Sequence, residues 1–275
     1  MNPIIDDIIR RALEEDMPMI DVTTDNLFED EMAEGVFIAK QEGVLSGVDV
    51  MRRVFQLLDD DVYVKVINGD GAVVEQGDVI AVISGSAKSI LKGERVALNL
   101  MQRMSGVATL TRRFVDQVVN THTKILDTRK TTPNLRILEK QAVVHGGGIN
   151  HRMNLSDQVM IKDNHIQAAG GIANAVSIIK QKVDHSMRVE VEVETFEQYM
   201  EAQATACDII MLDNMSTDLM RRCVEHNQHR KLLEASGNMT LDRIAEVSAT
   251  GVDFISVGAL THSYTALDIS LKFSR

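Results

Sequence analysis

Apolar residues at the start of the chain recur at the spacing of one face of a helix. They follow a cap-like Asn2-Pro3 pair and are Ile4, Ile5, Ile8, Ile9, Ala12 and Leu13. This pattern predicts an opening amphipathic helix. Short apolar runs then predict strands at residues 36–40, 62–66 and 79–83, with a helix near residues 50–58. Together these elements predict a small α+β unit.

A long helical pattern follows this unit, from residue 88 to about residue 119. No proline-rich or low-complexity linker interrupts it, so we expect a domain boundary inside the helical stretch. The expected domains are residues 1–105 and residues 106–275. The last residues of the chain can return to pack on the first domain.

Beyond residue 120 the pattern changes to a repeated order of strand, polar segment and helix. The strand candidates are residues 123–126, 159–161, 188–193, 208–212, 232–235 and 254–257. Strands that alternate with helices predict a parallel sheet with right-handed crossovers. Only six strands are visible, so the pattern predicts an α/β barrel that is open or incomplete.

Polar residues follow each of these strand candidates. The segments are Asp127-Thr128-Arg129-Lys130, Lys162-Asp163-Asn164-His165, Glu192 with Glu194, Asp213-Asn214, Ser236-Gly237-Asn238 and Gly258-Ala259. Barrels and open α/β sheets place their sites at the carboxyl ends of the strands. We therefore expect these segments to converge on one ligand.

The stretch "RVEVEVE", residues 188–194, places Glu190, Glu192 and Glu194 on one face of a strand. One interpretation is an exposed edge strand with a solvated acidic face. In a crossover sheet, the valines between the glutamates would pack under helices, and the glutamates would turn to the barrel interior. Carboxylates are costly to bury without cations. Arg129, Lys130 and Lys162 are the expected partners.

The charge of the whole chain shows which partners to exclude. With a formal net charge of −11 in 275 residues, the protein is not expected to bind nucleic acid or an anionic membrane. No segment approaches a membrane-spanning length, and the first residues lack the apolar core of a signal peptide, so we expect a cytoplasmic protein. Cys207 and Cys223 lack metal-type spacing and are expected to be reduced.

A cluster of basic residues in such an acidic chain indicates a local binding site. The cluster in the second half comprises Arg129, Lys130, His151, Arg152 and Lys162, next to the glycine-rich segment 144–152. Arginine and lysine side chains can grip carboxylates and phosphates, so the cluster predicts a small polyanionic ligand. The segments 234–238 and 255–263 each place glycine after a strand, which is typical of phosphate-binding loops at the last strands of a barrel.

Six segments in this order carry a family resemblance over nearly the whole chain. They are "LDTRKTTPNLRILEKQAV", "GGGINHRMNLSDQVMIKDNHI", "VEVEVE", "MLDNM", "EASGN" and "SVGALTHS", and "GERVALNLMQRMSGVAT" supports them. The chain closely resembles the quinolinate phosphoribosyltransferases, the carboxylating nicotinate-nucleotide pyrophosphorylases. One departure is Asn134, where the family pattern has glycine; asparagine tolerates left-handed backbone geometry.

The resemblance implies a fold and a reaction. The fold is an N-terminal α/β sandwich followed by a C-terminal incomplete α/β barrel of parallel strands. The enzyme would transfer phosphoribose from 5-phosphoribosyl 1-pyrophosphate to quinolinate and release pyrophosphate and carbon dioxide, which gives nicotinate mononucleotide for de novo NAD biosynthesis. The implied cofactor is Mg²⁺ with the pyrophosphate substrate, and no organic cofactor is required.

The resemblance also implies roles for residues. The quinolinate carboxylates would be surrounded by Arg129, His151, Arg152 and Lys162. Lys130, Glu192 and Asp213 would face the ribose, its pyrophosphate and Mg²⁺, with Glu192 and Asp213 holding the metal directly or through substrate or water. Lys130, Lys162, Glu192 and Asp213 are the implied catalytic residues. The 5′-phosphate would lie against Ser236, Gly237, Asn238 and Gly258, and Thr128, Ser256 and Val257 complete the substrate-binding set.

A homodimer with shared active sites, or a larger assembly of dimers, is implied as well. Arg95 would reach across the two-fold interface into the partner's quinolinate pocket. Two alternatives are a related phosphoribosyltransferase-like group associated with molybdenum transport, and an inactive phosphosugar-binding regulator. The intact set of Lys130, Lys162, Glu192 and Asp213 argues against the regulator.

Overall fold

A computed structural model describes residues 2–273. The chain forms two compact units. The first unit contains the residues up to Arg112, Thr131–Gly147 and the segment from Ser263 onward. The second contains Arg113–Lys130 and Gly148–His262. Both units are therefore discontinuous in sequence.

The first half of the chain alternates helices with short strands. In chain order the elements are α1 (Pro3–Asp16), α2 (Thr24–Leu27), β1 (Met32–Ala39), β2 (Gly43–Val44), α3 (Val48–Leu58), β3 (Tyr63–Val66), β4 (Val73–Val74), β5 (Val79–Ser86) and α4 (Ala87–Asp116). Every helix and strand predicted in this half is present, with ends shifted by a few residues. The short pairing of β2 with β4 was not predicted.

The second half begins with β6 (Lys124–Leu126). It continues with α5 (Arg136–His145), β7 (Val159–Ile161), α6 (Asp163–Ala169), α7 (Ile172–Lys182), β8 (Val189–Val193), α8 (Phe196–Gln203), β9 (Ile209–Asp213), α9 (Thr217–Asn227), β10 (Leu232–Ser236), α10 (Leu241–Ser248), β11 (Phe254–Ser256), α11 (Ala259–His262) and β12 (Ile269–Phe273). All six predicted strands of this half are present. The final strand, β12, was not among them.

The opening helix shows how sequence builds the first unit. Asn2 caps α1, because its side-chain Oδ1 accepts the backbone N–H of Ile4 at 3.0 Å, and Pro3 occupies the first turn. Ile5 and Ile9 are buried. Arg53 of α3 donates two hydrogen bonds to Asp6, at 2.9 and 2.8 Å, which ties the two helices together.

The sheet of the first unit has four strands in the order β12-β1-β5-β3, paired antiparallel. Phe37 of β1 lies against Phe55 of α3, with ring centroids 6.1 Å apart, and both side chains are fully buried. Strand β12 pairs with β1 in the register Phe37 to Leu271. The end of the described chain therefore completes the first sheet.

The second unit contains six parallel strands in the order β6-β11-β10-β9-β8-β7. Within residues 2–273 no ladder joins β6 to β7, so the barrel is incomplete. Val189, Val191 and Val193 of β8 are buried. The predicted fold class, a sandwich unit followed by an open parallel barrel, is confirmed.

The remaining features of the fold concern membranes and thiols. Among the described residues, the helices are too short or too polar to cross a lipid bilayer. Cys207 and Cys223 are buried free thiols. Burial raises the pKa of both, that of Cys223 to about 12, so neither is an activated nucleophile.

Candidate active site

A cavity of about 700 Å³ opens at the carboxyl ends of the parallel strands. Its walls come from the segments that follow β6, β7, β8, β9, β10 and β11, all within the second unit. This volume suits one or two small ligands. Each polar strand end that the sequence predicted to converge contributes at least one residue here, although Asp163, Asn164, His165 and Glu194 are not among the lining residues.

Four cationic side chains line the cavity, namely Arg129, Lys130, Arg152 and Lys162. Arg152 is buried, and burial together with repulsion from Arg129 lowers its pKa below the ordinary arginine value. A guanidinium remains charged even so. Positive charge is thus held in a buried place, where an anionic ligand would relieve the repulsion.

The guanidinium of Arg152 is held by its neighbours. Its Nη1 donates to the carbonyl oxygen of Gln158 at 3.0 Å, and its Nη2 lies 3.6 Å from the sulfur of Met160. The segment that carries it is fixed by Asp127, whose Oδ1 accepts the backbone N–H of His151 at 2.8 Å. This arginine is therefore preorganised before any ligand binds.

Two carboxylates form the acidic side of the cavity. Glu192 accepts a hydrogen bond from Nζ of Lys162 at 3.0 Å, and its side chain is 14% exposed. Asp213 ends the adjacent strand, and its Oδ2 accepts the side-chain amide of Asn214 at 2.7 Å. Because parallel strands end at one edge, the acids lie beside the cations. The alternation in residues 188–194 correctly predicted that Glu190 and Glu192 turn inward, but it was wrong for Glu194, which is exposed because the strand ends at Val193.

A loop after β10 forms a further wall of the cavity. Gly237 has φ 87° and Asn238 has φ 49°, so both adopt left-handed geometry. A side chain at Gly237 would run into Asn214. Arg243 anchors this loop, because it donates to the carbonyl oxygens of Gly237 at 3.3 Å and Met215 at 2.7 Å. The glycine is required by the close approach of the two loops.

The segment after β11 closes the remaining side. A Cβ atom at Gly258 would lie 3.0 Å from the Lys130 side chain and 3.1 Å from His262. Thr261 donates a hydrogen bond from Oγ1 to the carbonyl oxygen of Lys130 at 2.8 Å. The loops after β6 and β11 are thereby joined, and Lys130 is placed at their meeting point.

The floor of the cavity holds a buried cluster of His151, Glu190 and Glu234. Nε2 of His151 lies 3.1 Å from a carboxyl oxygen of Glu190 and 3.5 Å from one of Glu234. Burial, and then the charge of Glu190, raise the pKa of Glu234 to about 8. Burial raises the pKa of Glu190 as well, while Arg152 opposes that change. The two acids do not carry two full charges near neutral pH.

Nearly all the site residues expected from the sequence line this one cavity. They are Thr128, Arg129, Lys130, His151, Arg152, Lys162, Glu192, Asp213, Ser236, Gly237, Asn238, Ser256 and Gly258. Val257 is fully buried and is not among the lining residues. Its backbone N–H donates to the carbonyl oxygen of Leu126 at 2.9 Å, which ties the end of β11 to the end of β6. Arg95 is exposed on α4 in the first unit and is not among the lining residues.

Some lining residues were not expected from the sequence. Glu234 was missed, although its place two residues before Ser236 on one strand puts both on the same face. Thr240 is an exposed loop residue whose sequence context gives no comparable signal. Asn214 lines the cavity as part of the predicted strand end Asp213-Asn214, although no role was predicted for it. Met160, Met211 and Met239 add apolar surface, which suits the ring of an aromatic ligand.

Two family models match the chain. The model described as quinolinate phosphoribosyl transferase, N-terminal domain, matches residues 21–105, and the model of the C-terminal domain matches residues 107–272. Together they span most of the sequence.

Known proteins with similar sequences and structures agree. The chain is 43% identical to a probable carboxylating nicotinate-nucleotide pyrophosphorylase of Synechocystis, covering 99% of this chain and 93% of that protein. It is 45% identical to the protein of the same description from Bacillus subtilis, covering 94% and 89%. The structure of nicotinate-nucleotide pyrophosphorylase from Francisella tularensis superposes with a TM-score of 0.96 at 39% identity, covering 100% of this chain and 97% of that one.

Proposed function

The chain belongs to the quinolinate phosphoribosyl transferase family, and we propose that it joins quinolinate to phosphoribose in this cavity. The protein is a pentosyltransferase of de novo NAD biosynthesis. Its substrates are quinolinate and 5-phosphoribosyl 1-pyrophosphate. The products are nicotinate mononucleotide, pyrophosphate and carbon dioxide. The related molybdenum-transport group and the inactive regulator are not favoured.

The observation that carries this proposal is the group of cations in an acidic protein. Arg129, Arg152 and Lys162 lie in one cavity of a chain with net charge −11. Quinolinate carries two adjacent carboxylates, and a guanidinium can bind a carboxylate through two parallel hydrogen bonds. We assign these three residues, with His151 beside them, to the quinolinate side of the cavity.

The acidic side suits the sugar. When the bond between C1′ and pyrophosphate breaks, positive charge develops on the ribose ring, and carboxylates stabilise such charge when they are already in place. We assign Glu192 and Asp213 to this task. Lys130, whose place is fixed by the loops after β6 and β11, would stabilise the departing pyrophosphate.

Glu192 and Asp213 also fit a magnesium ion that arrives with the pyrophosphate. Magnesium prefers oxygen ligands and commonly takes only one or two carboxylates, with the remaining positions filled by water and substrate phosphates. Two carboxylates at adjacent strand ends meet that requirement. The bound ion would supply charge stabilisation to the leaving group.

The glycine loops after β10 and β11 are assigned to the 5′-phosphate. Ser236, Gly237 and Asn238 form one loop, with two left-handed residues whose backbone N–H groups can turn toward a ligand. Ser256 and Gly258 lie on the neighbouring strand end. Thr128 can add a hydroxyl from the loop after β6, although it already accepts the N–H of Lys130 at 3.0 Å.

The loss of carbon dioxide follows from the chemistry of the ring. Once the pyridine nitrogen is bonded to C1′, the bond between the adjacent ring carbon and its carboxylate breaks and carbon dioxide leaves. The positively charged nitrogen stabilises the electron pair that stays on this carbon, and a proton taken up there from solvent gives nicotinate mononucleotide. The protein then needs chiefly to hold the ring and exclude other reactions. Met160 and Met211 offer the apolar contact for this purpose.

A homodimer with shared sites, or an assembly of such dimers, is part of the proposal. Arg95 is exposed on α4 and free to contact a second subunit. A cytoplasmic location also stays a prediction.

One assay tests the function. Purified protein is incubated with quinolinate, 5-phosphoribosyl 1-pyrophosphate and Mg²⁺, and nicotinate mononucleotide is followed by chromatography. Reactions that omit one substrate are the controls. Glu194→Gln is a control variant that should keep wild-type activity, because Glu194 is exposed beyond the end of β8. Product that requires both substrates supports the proposal. Absence of product from folded protein contradicts it.

A further inference from the structure

Glu190 and Glu234, the two acids of the buried cluster at the floor of the cavity, have no task in the reaction as described so far. Glu190 is 0% exposed and Glu234 is 1% exposed, yet only Glu234 lines the cavity. Burying two carboxyl groups is costly unless hydrogen bonds compensate. Two carboxyl groups buried at this cost beside the cavity therefore point to a task in the site.

The hydrogen bonds of His151 define its protonation. Nδ1 accepts the backbone N–H of Arg152 at 2.7 Å, so Nδ1 carries no proton. Nε2 must then carry the proton of the neutral ring, and it faces Glu190 at 3.1 Å. A protonated Nε2 has no lone pair for a metal ion. The cluster is therefore a hydrogen-bonded network, and both ring nitrogens of His151 are engaged within the protein.

Glu190 contacts a second residue that holds Arg152. Its Oε2 accepts the side-chain amide of Gln158 at 2.9 Å. The carbonyl oxygen of the same Gln158 accepts Nη1 of Arg152 at 3.0 Å. Glu190 is thus connected to Arg152 along two routes. His151 leads to the backbone N–H of Arg152, and Gln158 leads to its guanidinium, which the charge of Glu190 also attracts.

We propose that Glu190 is a positioning residue that sets the guanidinium of Arg152 for one carboxylate of the aromatic substrate. The proposal rests on the proposed function for the identity of that substrate. It also changes the task of His151, which locks the network and presents its ring to the cavity, while Arg152 makes the hydrogen bonds to the ligand.

The steady-state test compares Glu190→Gln with Glu194→Gln. The first change keeps the volume and removes the charge, while the amide oxygen can still accept from His151 and Gln158 at the position of Oε2. The second alters an exposed glutamate of the same sequence run. We expect Glu190→Gln to raise the KM for quinolinate about tenfold or more, because a buried arginine is then misplaced. The KM for 5-phosphoribosyl 1-pyrophosphate should change less than about twofold, and Glu194→Gln should leave both values unchanged.

A purely structural role would give a different result. Glu190→Gln would then lower the melting temperature and the fraction of active enzyme, while both KM values stayed at the wild-type level. That outcome would overturn the proposal. If Glu190→Gln does not fold, Gln158→Met is the second variant, because it removes the donor to Glu190 at similar volume. It should raise the quinolinate KM in the same direction, and an unchanged KM would also overturn the proposal.

A spectroscopic measurement separates this proposal from the proposed function. In protein labelled with ¹⁵N-histidine, the unliganded wild type should show His151 with a bare Nδ1 and a slowly exchanging proton on Nε2, identified by its loss in His151→Phe. In Glu190→Gln that proton should exchange faster. If the signature is present but the wild type makes no nicotinate mononucleotide, the reaction assigned to the cavity is wrong and the network stands. If the wild type is active and the signature is absent, the network is wrong.

Discussion

Arg152 is the residue at which burial and charge most clearly constrain the ligand. Its pKa is lowered by burial and by Arg129, and it remains charged in a place with little water. Such a group binds an anion well and is penalised when none is present. The choice between two similar aromatic acids should therefore depend on this side of the cavity.

Nicotinate is the test of that choice, because it lacks the carboxylate next to the ring nitrogen. We expect its kcat/KM to be about a hundredfold lower than that of quinolinate, or lower still, since one buried cation would remain unpaired. The measurement is the initial rate of nicotinate mononucleotide formation from each acid at matched concentrations. Comparable efficiencies would contradict the assignment of the basic pocket.

The two carboxylates at the strand ends should affect turnover and not the binding of the aromatic acid. We expect Glu192→Gln and Asp213→Asn each to lower kcat by about a hundredfold or more, because charge stabilisation of the ribose is lost. Quinolinate binding, measured by calorimetry, should be retained in both. Glu192→Gln should even favour it, since Lys162 is released from its 3.0 Å ion pair. Weakened binding with normal turnover at saturation would reverse the roles.

The buried acid Glu234 should make stability depend on pH. Its folded pKa of about 8 lies above the ordinary value of 4.5, because burial and the charge of Glu190 disfavour ionisation. His151 and Ser256 face the same carboxyl and act in the opposite direction. The folded state therefore keeps a proton that the unfolded chain releases, so this contribution to stability is complete below about pH 4.5 and is lost as the pH rises through about 8.

Thermal unfolding at pH 6 and pH 9 measures this contribution. Glu234→Gln cannot ionise, so its melting temperature should fall less between the two pH values than that of the wild type. Each kcal/mol corresponds to about 2–4 °C in a protein of this size. Glu246→Gln, at an exposed position on α10, is the matched control. Equal slopes in the wild type and Glu234→Gln would mean that Glu234 is not held protonated.

The conformation of the loop after β10 depends on one glycine. Gly237→Ala should destabilise the protein by about 1–3 kcal/mol and raise the KM for 5-phosphoribosyl 1-pyrophosphate, because the new Cβ meets Asn214 at a left-handed backbone position. Gly170→Ala is the control, since Gly170 has φ 79° but open space around it. It should cost only the backbone strain and leave both KM values unchanged. Equal effects of the two changes on the KM would show that the loop does not contact the substrate.

The elements that the sequence predicted are those with a periodic pattern of apolar residues within one segment. Strand β8 was found because valine alternates with glutamate, and α1 because isoleucines recur on one face. The two-residue strands β2 and β4 were missed, since each has too few residues to show a period. Strand β12 was missed because its pairing with β1 joins segments more than 200 residues apart, which no local pattern reveals.

The candidate site shows the same division. Cations and acids at strand ends were found because charge placed after an apolar run is visible in the sequence. Glu234 was not, because its importance arises from Glu190 and His151, which two other segments bring beside it. Asn134, the departure from the family pattern, has φ 66°, the left-handed geometry that asparagine tolerates.

The chain returns to each of its two compact units after leaving it. Residues 131–147 and the segment from Ser263 onward belong to the first unit, and the strand-end chemistry belongs to the second. The division into residues 1–105 and 106–275 remains a prediction. Arg95, on α4 of the first unit, and the buried Val257 are the proposed site residues that do not line the cavity.

The role of Arg95 is therefore tested on an assembly of two chains. An exposed arginine on a helix is ordinarily a solvated charge. If Arg95 instead reaches the partner's quinolinate pocket, a two-fold dimer supplies the contact twice. Arg95→Ala and Lys130→Ala dimers should each be nearly inactive. A mixed dimer would contain one site that draws an intact Lys130 from one chain and an intact Arg95 from the other.

Mixing the two inactive variants measures this directly. With random exchange of subunits, about half of the dimers are mixed, and each has one sound site of two, so about a quarter of wild-type activity should return. Exchange is verified with chains that carry tags of different mass, and a mixture of Arg95→Ala with Glu192→Gln should recover activity for the same reason.

A mixture of Lys130→Ala with Glu192→Gln is the matched control. Both substitutions then fall in the cavity of their own chain, every site lacks one of the two groups, and no activity should return. Recovery confined to mixtures that contain Arg95→Ala requires this residue to act in trans, whereas no recovery after proven exchange would mean that Arg95 acts within its own chain or not at all.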